Sequence, residues 1–403
     1  CNPMNFKITS MTNVATASLV FLALGTLTSV SILSGYQILF SIALLGYSYR
    51  AFQEKQFKLP LSAYFLLAFF TYAFFTTSFN FDIIPKPVKN FGRLKYFLFG
   101  IFGIIFFKYW LKEAQDLAKK IFLNAFLLSI VVTGIWAIIQ FFILGHYRAE
   151  GFTHTLRYGY GSGMILLILL GAIFHYQKLS RWFNYKLAIA AFVIGFIAFF
   201  VTYTRGALLG FLCGLPFALY FYKPKLGFTF GSVAVLCVLS LGGFYLFGSG
   251  NYKNRFLVNK NNYADVIRRS QWLAAIKATE ERPITGWGLS NFHSQLKRIK
   301  NQYDLDAKEY DDAHSHNLFL EVSSGTGLIG LFFFLGWLLM WAIECFRAKG
   351  LVRALTIPFG VGFIVSSQFE VTFDANNATM IFTVYSLSAC VAMSLINDKA
   401  LRA

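Results

Sequence analysis

The chain has 403 residues, of which 57% are hydrophobic, 19% aromatic and only 13% charged. Apolar runs close to the roughly 20 residues that cross a bilayer recur along it, which excludes an ordinary soluble globule and predicts an all-α polytopic membrane protein. The formal charge of +18 comes from 36 basic and 18 acidic residues; it reads as a membrane-orientation signal, and no nucleic-acid partner is expected.

In chain order, spans are predicted at residues 14–33, 36–49, 59–79, 94–107, 121–144, 159–176, 187–203, 206–222, 227–248, 318–343, 354–372 and 377–396, about twelve in all. The second and fourth are short, and fit as tilted spans, as spans packed inside the bundle, or as runs extended by flanking aromatics. No apolar segment with a small-residue cleavage site stands apart at the start, so the first run reads as a retained span and Cys1 is given no role. Cys213, Cys237, Cys345 and Cys390 lie within or beside apolar runs, and no disulfide or metal framework is readable. The organisation that follows is 1–248 with nine spans, 249–316 as one large loop with amphipathic helices, and 317–403 with three spans and a short tail.

Orientation follows from where the short loops keep Lys and Arg. One set holds Lys7, Arg50, Lys55, Lys58, Lys108, Lys112, Lys119, Lys120, Lys178, Arg181, Lys186, Lys223, Lys225, Arg347, Lys349, Arg353, Lys399 and Arg402, and reads as cytoplasmic. The alternate loops hold only Lys86, Lys89, Arg93, Lys95, Arg148, Arg157 and Arg205. Both termini are therefore expected inside and the 249–316 loop outside.

Basic residues on the outer side need a separate reason. Arg205 opens a span whose next residues, Gly206, Ala207, Leu208, Leu209 and Gly210, allow close helix packing; an arginine there implies snorkelling or a partner. In the large loop, Asp265 to Thr279 reads as an amphipathic helix with an apolar stripe of Val266, Trp272, Leu273 and Ile276 and with Arg268, Arg269 and Lys277 as its basic positions. Arg268 and Trp272, four apart, share a face. A turn with Pro283, Gly286 and Gly288 follows, then a short helix through Lys297 and Lys300, an acidic run from Asp304 to Asp312, and His314, Ser315, His316 and Asn317 at the mouth of the next span.

These residue types outline a chemistry. Guanidinium groups give planar, permanently charged, bidentate bonds to phosphate oxygens, so two arginines at the outer face can clamp a lipid-linked diphosphate and stabilise it as a leaving group. A nearby neutral imidazole can take the proton from an acceptor hydroxyl.

His316, Asn317, Gly327 and Gly330 meet in full the ligase pattern of His, then Asn, Ser or Gln, nine residues, then Gly-x-x-Gly. Arg205 with Leu209 matches an Arg-x-x-x-Leu element, and Arg268 with Trp272 an Arg-x-x-x-Trp element. In these features the C-terminal half resembles the bacterial O-antigen ligase and polymerase superfamily of polytopic glycosyltransferases; the N-terminal half agrees in topology alone. The resemblance implies a GT-C-like helical fold in the inner membrane of a Gram-negative bacterium, with a periplasmic site. It implies an undecaprenyl-diphosphate-linked glycan donor, a lipid A-core or other hydroxyl acceptor, membrane lipids as surroundings, and inverting transfer with no metal or cofactor. Carried over by position, Arg205 and Arg268 bind the diphosphate and His316 is the base. Arg269 leaves the second arginine ambiguous by one position and His314 does the same for the base, with His316 preferred because the complete motif starts there; Asn317 and Trp272 are supporting residues. The function implied is an O-antigen ligase. The alternatives are an O-antigen or exopolysaccharide polymerase, a protein O-oligosaccharyltransferase or, from another class, a lipid or sugar transporter, which should carry ionisable residues at mid-membrane; here Glu370, near a span end, is the main exception.

Overall fold

The computed structural model describes residues 3–223, 263–306 and 314–400, and every regular element among them is helical. The first hairpin pairs α1 (Pro3–Gly25) with α2 (Val30–Gln53). This corrects the span expected at 14–33: Ser29 caps α2 by accepting from Ser31 N at 3.1 Å. The carbonyls freed at the break, those of Gly25 and Thr26, accept from buried Asn376 Nδ2 at 3.2 and 3.3 Å. The apolar composition runs through a break that a distant side chain satisfies.

There follow α3 (Leu61–Phe79), a 3-10 turn (Phe81–Ile83), α4 (Pro87–Glu113), α5 (Asp116–Phe142), α6 (Thr155–Phe174), the single-turn α7 (Tyr176–Leu179), α8 (Tyr185–Phe200) and α9 (Arg205–Tyr222). Pro87 occupies the first position of α4, where its missing N–H costs nothing. Later come α10 (Tyr263–Glu281), α11 (Phe292–Gln302), α12 (Leu318–Ala348), α13 (Gly350–Ser366) and α14 (Ala375–Ala400). Among the described residues eight helices are long and apolar enough to cross a membrane: α2, α3, α4, α5, α6, α9, α12 and the Ala375–Ile396 part of α14. Ser10–Gly25, α8 and α13 are apolar but shorter. The short runs at 36–49 and 94–107 lie inside helices of 24 and 27 residues. The span expected at 227–248, the loop up to residue 262 and residues 307–313 of the acidic run lie outside the described residues.

A second correction concerns the span expected at 354–372. The helix stops at Ser366, and 367–374 is a connector that carries Glu370. It is closed by a hydroxyl pair, Ser367 Oγ and Thr372 Oγ1 at 2.8 Å.

Association of helices in lipid relies on close packing, because the tails around them are as apolar as the side chains. Accordingly α9 and α13 meet through small residues: a side chain at Gly210 would overlap Ser366, and one at Gly214 would press on the Pro358 carbonyl. Elsewhere large rings fill the core, with Trp337 stacked on Trp341 at 5.9 Å and on Phe382 at 5.4 Å.

The α10–α11 pair packs against the start of α12 and has its own core of Ala274, Ala275, Ala278, Trp287, Phe292, Leu296 and Ile299. The stripe expected on α10 is therefore not the buried one, and Leu273 and Ile276 are exposed. Alanines face the neighbours because α10 comes too close for larger side chains, while Ser270 and Gln271 are buried beside them.

Candidate active site

Asn317 sets the geometry at one end of the bundle, referred to below as the site end. As the cap of α12 it accepts from Phe319 N at 2.9 Å and Leu320 N at 3.2 Å. Its Nδ2 donates to Gln368 O at 3.3 Å and Gln368 Oε1 at 3.2 Å, and Leu318 N donates to Ser367 O at 2.8 Å. The cap thereby ties 314–317 to the 367–374 connector. His316 holds a left-handed backbone, φ 51°, a conformation that few residues other than glycine adopt. Ser315 N donates to Glu321 Oε2 at 3.0 Å, which anchors the turn that carries the histidines.

Glu370 receives both imidazoles. His314 Nε2 pairs with its Oε1, His316 Nδ1 lies 3.1 Å from its Oε2, and the ring centroids are 4.3 Å apart. Burial alone would raise the Glu370 carboxyl, but the bonds from His314 and His316 and their charge outweigh it and hold the group well below the usual carboxylate range. Burial likewise opposes a charged His314; its bond to Glu370 and the charges of Glu370 and Glu321 prevail, and its pKa is raised. An ionised carboxylate has acceptors only, so His314 Nε2 and His316 Nδ1 each carry the proton that faces it. A neutral His316 then has its lone pair on Nε2. Sequence reasoning singles out Glu370 as an acidic exception near a span end and misses that it joins the two histidines.

The arginines approach from two other elements. Arg205 is the first residue of α9, and a side chain at the following Gly206 would overlap Tyr160 and Phe369, so this helix start lies against the residue before Glu370. On α6, Tyr160 is acted on by the charges of Glu370, Arg268, Arg148 and Arg205 together. The loop arginine Arg148, which the motif reading left aside, donates from Nε to Thr202 O at 2.8 Å and from a terminal nitrogen to Thr204 Oγ1 at 3.2 Å. Arg268 is half-buried on α10, whereas Arg269 is exposed. Trp272 is half-buried, and its Nε1 and the Oε1 of Gln271 are buried polar atoms without a hydrogen-bond partner among the described residues.

The glycines of the motif hold a loop against a helix. Gly327 has φ 69° and ψ −174° inside α12, and a side chain there would overlap the Ile284 carbonyl oxygen. Gly286, φ 59°, is equally tight against Gly325. The close approach lets Trp287 N donate to Ser324 O at 2.9 Å, Gly288 N to Gly325 O at 2.8 Å and Leu328 N to Pro283 O at 2.7 Å. The 283–288 turn, and with it the end of α10, is thus fixed backbone to backbone on the helix that Asn317 caps.

His314, His316 and Glu370 each offer one ligand atom, all within 4.8 Å of one another, so this trio is the grouping able to hold a metal ion among the described residues. Direct bonds between the same atoms also satisfy them.

Residues 190–335 match the family model described as O-antigen ligase. A comparison with curated proteins found no match. The matched stretch runs from α8 into α12 and contains Arg205, Arg268, Arg269, Trp272, His314, His316 and Asn317; Glu370 lies beyond it. This stretch of the chain is thus similar to the O-antigen ligase family, and the match supports a place in that superfamily.

Proposed function

We propose that the protein is a membrane glycosyltransferase, an O-antigen ligase that moves a polysaccharide or oligosaccharide from undecaprenyl diphosphate to a hydroxyl of a lipid A-core acceptor. The observation that carries this reading is the Glu370 carboxylate bonded to His316 Nδ1, beside a hydroxyl, Tyr160, on which the charges of Arg205 and Arg268 converge. In this reading the fold is GT-C-like with about twelve spans, both termini are cytoplasmic, and the site end faces the periplasm of a Gram-negative cell.

His316 Nε2 takes the proton as the acceptor oxygen attacks the anomeric carbon. The bond from that carbon to the diphosphate breaks on the opposite face, which inverts the centre, and its electron pair leaves on the diphosphate. Arg205 and Arg268 meet the developing charge, with Arg269 as the alternative one position along. Glu370 orients the imidazole and stabilises the imidazolium formed, so the transfer is assigned no metal. A polymerase or a protein O-oligosaccharyltransferase would use the same centre with another acceptor.

The test is transfer by the purified chain with a lipid-diphosphate-linked glycan and a lipid A-core acceptor. His316→Ala should lose about 10²–10⁴-fold in rate, the range of a lost general base, and still bind donor; His314→Ala should be milder, and a chelator should leave the wild type unchanged. Loss of donor binding in His316→Ala would make His316 a phosphate ligand, and inactivation by a chelator would make the trio a metal centre. In cells lacking the protein, a ligase predicts accumulation of full-length lipid-linked polymer, and a polymerase accumulation of single repeats.

A further inference from the structure

Four of the seven basic residues assigned to the outer short loops fall within ten positions, Lys86, Lys89, Arg93 and Lys95. Lys86 is the cap residue of α4 without a capping side-chain bond, no acidic residue lies in the first turn, and all four cations are exposed. Steps of three and four place Lys86, Lys89 and Arg93 along one face. This arrangement is unfavourable in three separate ways: cations at the positive end of a helix dipole, like charges at helical neighbour spacing, and basic residues on the side where they are normally depleted. None of the three forms an ion pair among the described residues.

The stripe borders the candidate site: Asn90, between Lys89 and Arg93, is buried and donates from Nδ2 to Leu289 O at 2.9 Å, just past the 283–288 turn. The charge of Arg93 acts on His314. Arg93 and Arg157 also act together on Tyr96, as does Asp374. Arg157 Nε is 3.8 Å from Asp374 Oδ1, a loose pair, and burial pushes the Asp374 carboxyl up to about 6. Arg148, Arg205 and Arg268 thus act on Tyr160, whereas Arg93 acts on His314 and, with Arg157, on Tyr96. Exposed Phe79, Phe81 and Val88 flank the stripe, so an anion seated on the lysines is next to surface suited to an apolar chain.

We propose that Lys86, Lys89 and Arg93, with Arg157, form a second anion site that receives a phosphate carried by the glycolipid acceptor and delivers its hydroxyl to His316. This rests on the reading of the protein as a transferase with a lipid-borne acceptor.

The experiment uses the full chain in phosphatidylcholine nanodiscs and measures binding of a fluorescent bis-phosphorylated disaccharide lipid and of its dephosphorylated form. The triple variant Lys86→Gln, Lys89→Gln, Arg93→Gln should weaken binding of the phosphorylated lipid about tenfold or more. The dephosphorylated lipid should bind weakly and equally to both proteins, and Lys119→Gln with Lys120→Gln at the other end should match the wild type. Because the readout is binding, it stands whether or not transfer is observed, which separates this inference from the transferase reading. Undiminished binding by the triple variant would overturn the site. Competition by phosphatidylglycerol or inorganic phosphate as strong as that by unlabelled phosphorylated glycolipid would overturn the acceptor assignment, leaving a headgroup site in the first case and a free-phosphate site in the second.

Discussion

The two ends of the bundle use buried or half-buried glutamates for different purposes. At the end away from the site, Arg50 pairs with Glu54 at 2.6 Å and with Glu113, Tyr109 donates to Glu54 at 2.9 Å, and Thr12 donates to Glu113 at 3.1 Å. That network ties α1, α2 and α4 together, and its cation is a guanidinium that never titrates in the working range. At the site end Glu370 is taken up by two imidazoles, and the orientation it imposes leaves a nitrogen of His316 available for a proton. A carboxylate paired with arginine cross-links helices, whereas one paired with histidine sets a tautomer; the pairing partner, more than the burial, separates scaffold from chemistry.

The largest effects that test this contrast lie with the arginines of the site end. Arg205→Ala and Arg268→Ala should each lower transfer by about 10²–10³-fold, the usual loss for one donor to a developing anion. Lysine at either position should rescue poorly, because a point charge does not reproduce bidentate contact. Arg269→Ala, at an exposed position, should stay near wild type, and Arg50→Ala should reduce thermal stability while leaving the turnover of the folded fraction unchanged. An inactive Arg269→Ala beside an active Arg268→Ala would move the clamp one residue along α10.

A smaller effect is expected where the motif is backbone and not charge. Gly327→Ala places a side chain into the Ile284 carbonyl and forces a non-glycine residue into a conformation essentially reserved for glycine. A loss of about 1–3 kcal/mol is expected from the backbone alone, read as a lower melting temperature together with reduced transfer as the 283–288 turn is displaced. Gly360→Ala, whose side chain would meet nothing within 4 Å, is the control and should melt no lower than wild type. Equal melting of Gly327→Ala and wild type would show that the turn is not locked to α12.

How much of this the sequence discloses depends on whether the cause is local. Helix existence was legible from apolar run length, and the junction at Asn317 from the motif, because a cap and a glycine ten residues later are local requirements with their own residue preferences. The break after Gly25 was not legible, since Asn376 satisfies it from 350 residues away. Nor was the buried face of α10: hydrophobicity favoured Leu273 and Ile276, and close approach selected Ala274, Ala275 and Ala278. The link from Glu370 to the histidines spans more than 50 positions, and a single carboxylate leaves no spacing to read. Arg148 escaped for the same reason: its partners, Thr202 and Thr204, come close to it only in the fold.

The smallest expected effect separates the two carboxylates by pH. Glu370 titrates lower in the fold than when unfolded, so its contribution is present above the ordinary carboxylate value, about 4.3, and is lost as pH falls through the depressed one. His314 titrates higher in the fold, so its contribution is complete below the ordinary imidazole value, about 6.5, and is lost as pH rises through the raised one. The pair therefore stabilises most strongly between those ordinary values and fades on the alkaline side. Because the His314 side chain is 44% exposed, solvent screening reduces the effect to about 1 kcal/mol, a shift of about 1–2 °C in a chain of this length. The melting temperature of wild type minus that of Glu370→Gln should accordingly be largest near pH 6 and shrink toward pH 9. The same difference for Glu113→Gln should stay flat over that range, since Arg50 keeps its charge. A Glu370 difference that is also flat from pH 6 to 9 would mean that His314 is not the charged partner, and the distinction drawn between the two ends would fail at its first step.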